Sequence, residues 1–189
     1  FPFGKWNCND AGIRTPLVAV WPHKIAEGSK SDALVSWVDL LPTCLEAAGA
    51  MTAEPASAAD RLSGGSFLPV LTGETNDHRE FIFATHSGDG RMNEYPMRAV
   101  RSRGWKYIRN LSPDSEFHSH VDRAEAGDGK GYWSSWVRQA ETDRQVAAIV
   151  HRYQQRPAEE LYDLAADPDE LHNLASVAEH AQRIAALRA

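Results

Sequence analysis

The sequence has no run of about 18 uninterrupted apolar residues, so no membrane-spanning helix is expected. Its longest apolar region, residues 33–49, is broken by Ser36, Asp39, Pro42 and Glu46. Cysteine is scarce: Cys8 and Cys44 are the only two, and they form neither a C-x-x-C pair nor a zinc framework. Cys44 is expected as a small core residue on a helix. There is no excess of positive charge. The formal net charge of -6 disfavours a generic nucleic-acid coat, although local basic patches remain open. Internal repeats are absent, and so is a leader with a basic start and an apolar middle. The chain opens without Met, on Phe1-Pro2-Phe3-Gly4, and reads as chain already in progress, so a piece of a longer protein is expected. What is present is an ordinary globular composition, 42% hydrophobic and 24% charged over 189 residues. That excludes collagen-like, disordered and coiled-coil classes and allows one good core or two small ones.

Residues 1–15 read as a loop. Residues 16–21 form a short apolar run closed by Pro22, the signal of a strand covered on both faces. A helix is expected over residues 39–49, capped by the Asp39 side chain, with Pro42 in its first turn and Gly49 at its left-handed end. Leu40, Leu41, Leu45 and Ala48 would share its buried side. Residues 50–65 read as a surface loop, residues 66–71 as an apolar turn, and the polar stretch 72–79 as a boundary. Strands follow at 81–84, 97–101 and 105–109, the last two joined as a hairpin by Ser102-Arg103-Gly104. Residues 111–131 read as a polar loop, 132–155 as one helix stopped by Pro157, 160–164 as a fourth strand and 177–189 as a terminal helix. The order gives the end of an α/β domain over residues 1–75, then a small α+β domain over 76–189.

Five blocks, in order, resemble the sulfatases of the alkaline-phosphatase superfamily. The first is Gly4-Lys5 with Gly12-Ile13-Arg14-Thr15-Pro16-Leu17 and Trp21-Pro22. The second is Val35-Ser36 with Val38-Asp39-Leu40-Leu41-Pro42-Thr43 and Ala48-Gly49. The third is Gly65-Ser66-Phe67-Leu68-Pro69 with Leu71-Thr72-Gly73. The fourth is Met97-Arg98-Ala99-Val100-Arg101 with Trp105-Lys106-Tyr107-Ile108. The last is Glu160-Leu161-Tyr162-Asp163-Leu164 with Asp167-Pro168 and Asn173-Leu174-Ala175. The longest stretch outside them is roughly residues 110–158. The opening Phe1-Pro2-Phe3-Gly4-Lys5 and Tyr95-Pro96-Met97-Arg98 look most like the heparan N-sulfatase (N-sulfoglucosamine sulfohydrolase) branch.

The resemblance implies the C-terminal part of an alkaline-phosphatase-like sulfatase fold, of α/β class, ending in a small α+β subdomain with a four-stranded antiparallel sheet and a terminal helix. It implies hydrolysis of sulfate esters or sulfamates of sulfated sugars, with N-sulfoglucosamine the narrower choice. The family's formylglycine arises in a Cys- or Ser-x-Pro-x-Arg motif, and neither Cys8 nor Cys44 has that context. The paired aspartates and the Asp-Asn or Asp-His pair that hold a divalent metal, most commonly Ca2+, would also lie upstream, in the missing N-terminal part. Alone, this chain is therefore expected to be inactive. The family suggests periplasmic, secreted or lysosomal placement.

Sulfate transfer puts negative charge on non-bridging oxygens and needs fixed positive donors. Lys5 matches the family lysine that contacts sulfate, and a compact ammonium suits a tetrahedral anion. In the N-sulfatase branch that position can hold Arg. The stretch from Thr85 to Glu94 is dense in donors and acceptors, and His86, Asp89 and Asn93 are candidate sugar contacts. Arg98 and His120 are further substrate candidates. Arg14 fits either a substrate contact or a structural ion pair. Arg98, Arg101, Arg103, Lys106 and Arg109 give the hairpin a basic character that fits either a polyanionic glycan or a solvated surface. His118, His120 and Asp122 have an i, i+2, i+4 spacing but no evident fourth ligand, so a metal site there is disfavoured. Trp133 and Trp136 suit a core as well as a sugar ring. Two rival readings remain: a phosphodiesterase or phosphonate hydrolase of the same superfamily, and a non-catalytic carbohydrate-binding homologue.

Overall fold

The computed structural model describes residues 4–50, 62–88, 90, 93–124, 127 and 129–188. The chain divides into two compact units, one made of Phe1–Thr15 with Phe83–Ala189 and the other of Pro16–Ile82. This differs from the division expected near residue 75. The first fifteen residues cluster with the second half because Asn7, Cys8 and Asn9 are buried in its core.

In the larger unit, a short helix α1 (Asp10–Ile13) follows the opening loop. Within the smaller unit, a 3-10 turn at Trp37–Asp39 leads into α2 (Leu40–Ala47), and α3 spans Leu68–Leu71. Pro42 falls in the first turn of α2, and Gly49 beyond its end has φ 66°, as the sequence predicts.

Four expectations for this smaller unit change. The apolar run 16–21 forms no strand, and Leu17, Val18 and Val20 are exposed, because no described strand pairs with it. Asp39 does not cap α2 through its side chain. Its carboxylate is fully buried and accepts from the Ser36 and Gly65 amides and from Arg79 Nε at 2.9, 3.0 and 2.7 Å. The buried side of α2 carries Pro42 and Thr43, while Leu41 and Ala48 are exposed. Cys44 is exposed rather than core, since Asp39 and Thr43 turn the neighbouring helix face inward. Thr43 Oγ1 donates to the Asp39 carbonyl at 2.7 Å and accepts from Phe67 N at 3.0 Å, which ties α2 to α3.

The larger unit is built on a four-stranded antiparallel sheet in the order β1 (Ile82–His86), β2 (Met97–Arg101), β3 (Trp105–Asn110), β4 (Glu159–Asp163). The β2–β3 hairpin pairs Ala99 with Ile108, and β3–β4 pairs Ile108 with Glu160. Alternation then places Met97, Ala99, Lys106, Ile108, Asn110, Glu160 and Tyr162 on one face. Cys8, Tyr95, Phe117, Trp133 and Tyr153 complete the core with Met97, Ala99, Ile108 and Tyr162. Each large side chain fully buried this way contributes roughly 1.5–3 kcal/mol.

The region read as a loop before residue 131 contains a short helix, α4 (His120–Arg123), closed by a Ser119–Asp122 capping box. The single helix expected over 132–155 is two, α5 (Lys130–Ala140) and α6 (Arg144–Gln154). Asp143 breaks the run because its carboxylate accepts from the Gln145 and Val146 amides and starts a new helix. A 3-10 turn at Ala178–His180 enters α7 (Ala181–Arg188), whose Ile184 is buried. Arg183 stacks 3.9 Å over the Trp105 ring. Among the described residues, no helix is long and apolar enough to cross a membrane.

Candidate functional site

An open cleft of about 1020 Å³ in the larger unit is lined by Gly4, Lys5, His120, Val121, Gly127, Gly129, Gly131 and Tyr132. Two of the sequence candidates, Lys5 and His120, thus reach one site from distant parts of the chain. The volume is at the upper end of that common for small-molecule sites, about 300–1,000 Å³.

The opening loop delivers Lys5 in an unusual conformation. Lys5 and Trp6 have φ values of 69° and 51°, so two consecutive non-glycine residues occupy the left-handed region. Each such residue costs on the order of 1–3 kcal/mol and persists only where its surroundings enforce it. Here the enforcement is polar. Asn7 Nδ2 donates to the Lys5 carbonyl at 2.9 Å, and Asn93 Nδ2 donates to the Trp6 carbonyl at 3.2 Å. Gly4 is required by proximity, since a Cβ there would stand 2.5 Å from the Ala11 carbonyl oxygen. The Lys5 side chain is exposed.

Behind the loop, two buried charge clusters fix the following turn to the sheet. Asp10 accepts from Arg101 at 3.1 and 3.2 Å and pairs with Lys106, whose ammonium is fully buried and lies 2.7 Å from Glu170. Glu170 in turn accepts from the Asp10 amide at 2.7 Å. Burial alone would raise the Asp10 pKa, but Arg101 and Lys106 outweigh it and hold the carboxyl below its usual range. In the second cluster, the Arg156 guanidinium donates to Glu160 and, at 2.8 Å, to Asn9 Oδ1. Glu160 also accepts from Asn110 at 2.6 Å and from the Tyr162 hydroxyl. Burial pushes the Cys8 thiol up to about 11, with the nearby cations only partly opposing it, so Cys8 is a neutral core group rather than a nucleophile.

His120 meets the Trp6 indole edge-on, with ring centroids 4.5 Å apart. Its Nδ1 is buried and has no hydrogen-bond partner among the described residues. His118 points elsewhere, pairing through Nδ1 with Asp122 Oδ2. The other Asp122 oxygen accepts from the Ser119 amide at 2.7 Å and the Tyr153 hydroxyl at 2.9 Å. The i, i+2, i+4 trio is therefore divided: His118 pairs with Asp122, and His120 turns to Trp6 and the cleft. Among the described residues, no group of three or more His, Cys, Asp or Glu converges on a point that a metal ion could occupy.

The remaining candidates are placed differently. Asn93 is 1% exposed, and both ends of its amide are engaged, with Oδ1 accepting from Tyr95 N at 3.0 Å. His86 and Arg98 are not among the residues lining the cleft. They are neighbours of each other, with Arg98 Nη1 donating to the His86 carbonyl at 3.2 Å. Asp89 lies outside the described residues. The basic hairpin is divided: Lys106 is buried, Arg101 is paired with Asp10, and Arg98 is exposed. Trp133 belongs to the core, whereas Trp136 and Arg14 border a second cleft of about 570 Å³.

Sequence reasoning missed Trp6, Tyr132 and the cleft glycines. Tyr132 is 70% exposed. The alternating Gly127, Gly129 and Gly131 were the available signal. Gly129 has φ 97°, and a Cβ there would stand 3.1 Å from Val121 Cα.

Residues 3–126 match the family described as N-sulphoglucosamine sulphohydrolase, C-terminal. An ulvan-active sulfatase of Formosa agariphila is 33% identical over 175 residues, covering 92% of this chain and 31% of that protein. Human N-sulphoglucosamine sulphohydrolase is 30% identical over 204 residues, covering 100% of this chain and 38% of the human protein. A solved structure described in complex with its substrate D-glucosamine-2-N,6-O-disulfate aligns with a TM-score of 0.55 at 20% identity. That alignment covers 89% of this chain and 25% of the other, and the likeness is one of fold. The chain spans about a third of the length of the curated relatives it matches.

Proposed function

We infer the function from one premise, that the chain belongs to the N-sulphoglucosamine sulphohydrolase family of sulfatases: the whole protein hydrolyses sulfate esters or sulfamates of sulfated sugars. N-sulfoglucosamine is the narrower choice of substrate. The observation that carries this reading is the shared cleft, where Lys5 and His120 meet despite their separation in the chain.

Lys5 is the sulfate contact. Its ammonium presents three donors to the non-bridging oxygens, where negative charge is concentrated during S–O or S–N cleavage. His120 and Tyr132 face the sugar from the same cleft, the tyrosine with a large exposed ring suited to a pyranose face. His86 and Arg98 form a separate polar pair available to a longer glycan. A divalent metal, with Ca2+ as our choice, would supply Lewis-acid stabilisation of the sulfate in the whole protein. The described residues do not fit such a site, so its ligands are assigned to other parts of the protein and no step of this chain passes through it. A lysosomal, periplasmic or secreted setting accords with such substrates.

Sulfate release from N-sulfoglucosamine and from a chromogenic aryl sulfate, measured on the whole protein, tests the reading. Lys5→Ala is expected to lower kcat/KM about 100-fold, the usual effect of losing one preorganised donor. Unchanged turnover in that variant would remove Lys5 from the sulfate site. The 189-residue chain alone is expected to release no sulfate, and metal-dependent turnover by it would place the active site within this chain.

A further inference from the structure

The left-handed pair Lys5–Trp6 is held by a residue far away in sequence. Asn93 uses both ends of its amide. Oδ1 accepts from the Tyr95 amide at 3.0 Å, and Nδ2 donates to the Trp6 carbonyl at 3.2 Å. Tyr95 is itself fixed in the aromatic core, with its ring edge-on to Phe117 at 5.6 Å. Asn93 is 1% exposed, so water does not compete for either contact. Its backbone is confined as well. Gly88, at φ 133°, passes so close that a Cβ there would stand 2.9 Å from the Asn93 carbonyl oxygen.

The side chain is therefore a rigid connector from the core to the peptide that follows Lys5. A donor at one end and an acceptor at the other, at this length, is the chemistry of asparagine. Aspartate keeps the acceptor and loses the donor, and alanine loses both. The far side of Trp6 packs on His120, so the same carbonyl contact sets where the indole meets the imidazole.

We propose that Asn93 is a positioning residue for Lys5: by holding the Trp6 carbonyl it keeps the strained pair in the conformation that presents the Lys5 ammonium to the cleft beside His120. This rests on the reading of Lys5 as the sulfate contact. It assigns Asn93 no contact with sugar.

The test is a double-mutant cycle in the whole protein, reading N-sulfoglucosamine turnover in Asn93→Ala, Lys5→Ala and the combined variant. Asn93→Ala is expected to lower kcat/KM about 10- to 100-fold, the scale of a displaced binding group. The combined variant is expected to be no worse than Lys5→Ala alone, because the connector has nothing left to position. Losses that multiply overturn the proposal. Asn93→Asp separates the two ends and serves in the cycle if the alanine variant does not fold. Activity close to wild type in Asn93→Asp would mean that only the Tyr95 contact matters, which also overturns it.

Amide hydrogen exchange over residues 4–7 provides a readout independent of turnover. Faster exchange there in Asn93→Ala or Asn93→Asp is expected, and unchanged exchange rejects the connector. If Lys5→Ala leaves turnover intact while exchange responds to Asn93, the sulfate-contact reading fails and the connector stands.

Discussion

The two compact units bury charge in opposite ways. In the smaller unit, a single carboxylate gathers everything around it: Asp39 takes amides from Ser36 and Gly65, the Arg79 guanidinium, and His78 at 3.2 Å. Among its described residues few apolar side chains are buried, Leu34 and Phe67 among them. In the larger unit the aromatic core already excludes water, and the buried ions come as matched groups on one sheet face. Arg101 and Lys106 hold one end of α1 through Asp10 and Glu170, and Arg156 and Glu160 hold Asn9. One buried acid, with a single arginine and two amides, can organise a segment in which few of the described apolar side chains are buried. Matched ions inside a large core serve instead to fix where a segment lies.

The largest effect that would sharpen this contrast is expected from Arg156→Leu. It leaves Glu160 buried without its cation, which costs about 3–5 kcal/mol. Urea unfolding of the larger unit would show it, and a loss below about 1 kcal/mol would mean that the carboxylate finds compensation elsewhere.

Acid provides the corresponding test of the smaller unit. Burial would raise the Asp39 pKa, but Arg79 and the Ser36 and Gly65 amides outweigh it and hold the carboxyl at about 2, against an ordinary 3.8. Because the folded value is depressed, the stabilisation is complete above about pH 4 and disappears as the pH falls through 2. The linked loss is on the order of 2 kcal/mol. Hydrogen exchange in α2 should accelerate across that window in the parent protein, and much less in Asp39→Asn.

A smaller effect separates the two thiols. Cys44 is exposed and Cys8 is buried, with its pKa pushed up to about 11 by desolvation. A thiol reagent at neutral pH should label Cys44 in the native protein and reach Cys8 only on unfolding. Equal labelling rates would mean that the core around Cys8 opens readily.

Features set by neighbouring residues were legible in the sequence. Ser102-Arg103-Gly104 marks a hairpin, and Pro42 with Gly49 marks a helix, because turn and cap chemistry acts over a few residues. The break between α5 and α6 was also local, but the Asp143 cap is hidden within a continuing apolar period. Features set by distant partners were not legible. Lys106 reads as one of five hairpin cations, and only Asp10 and Glu170 make it a buried residue. Residues 16–21 read as a covered strand, yet cover is a property of neighbours, and no described strand supplies it. Lys5 and His120 were each visible as candidates through residue type and family resemblance. Their convergence was not, because it depends on how the chain returns to its own beginning. Trp6 carried no signal at all, since a left-handed tryptophan is imposed by its surroundings rather than preferred.

That return has a consequence for the order in which the protein can be assembled. During synthesis of this chain, the Lys5 loop is made well before Asn93, Arg156 and Glu170, and all of unit Pro16–Ile82 is made in between. Closing so long a loop precedes any reward from the contacts it brings together, so the Lys5 end is among the last parts to take shape. A chain cut short before β4 would lack Glu160 and Glu170. It would retain Lys5 and every other residue of the cleft, yet leave Arg156 without its carboxylate and Lys106 and the Asp10 amide without Glu170.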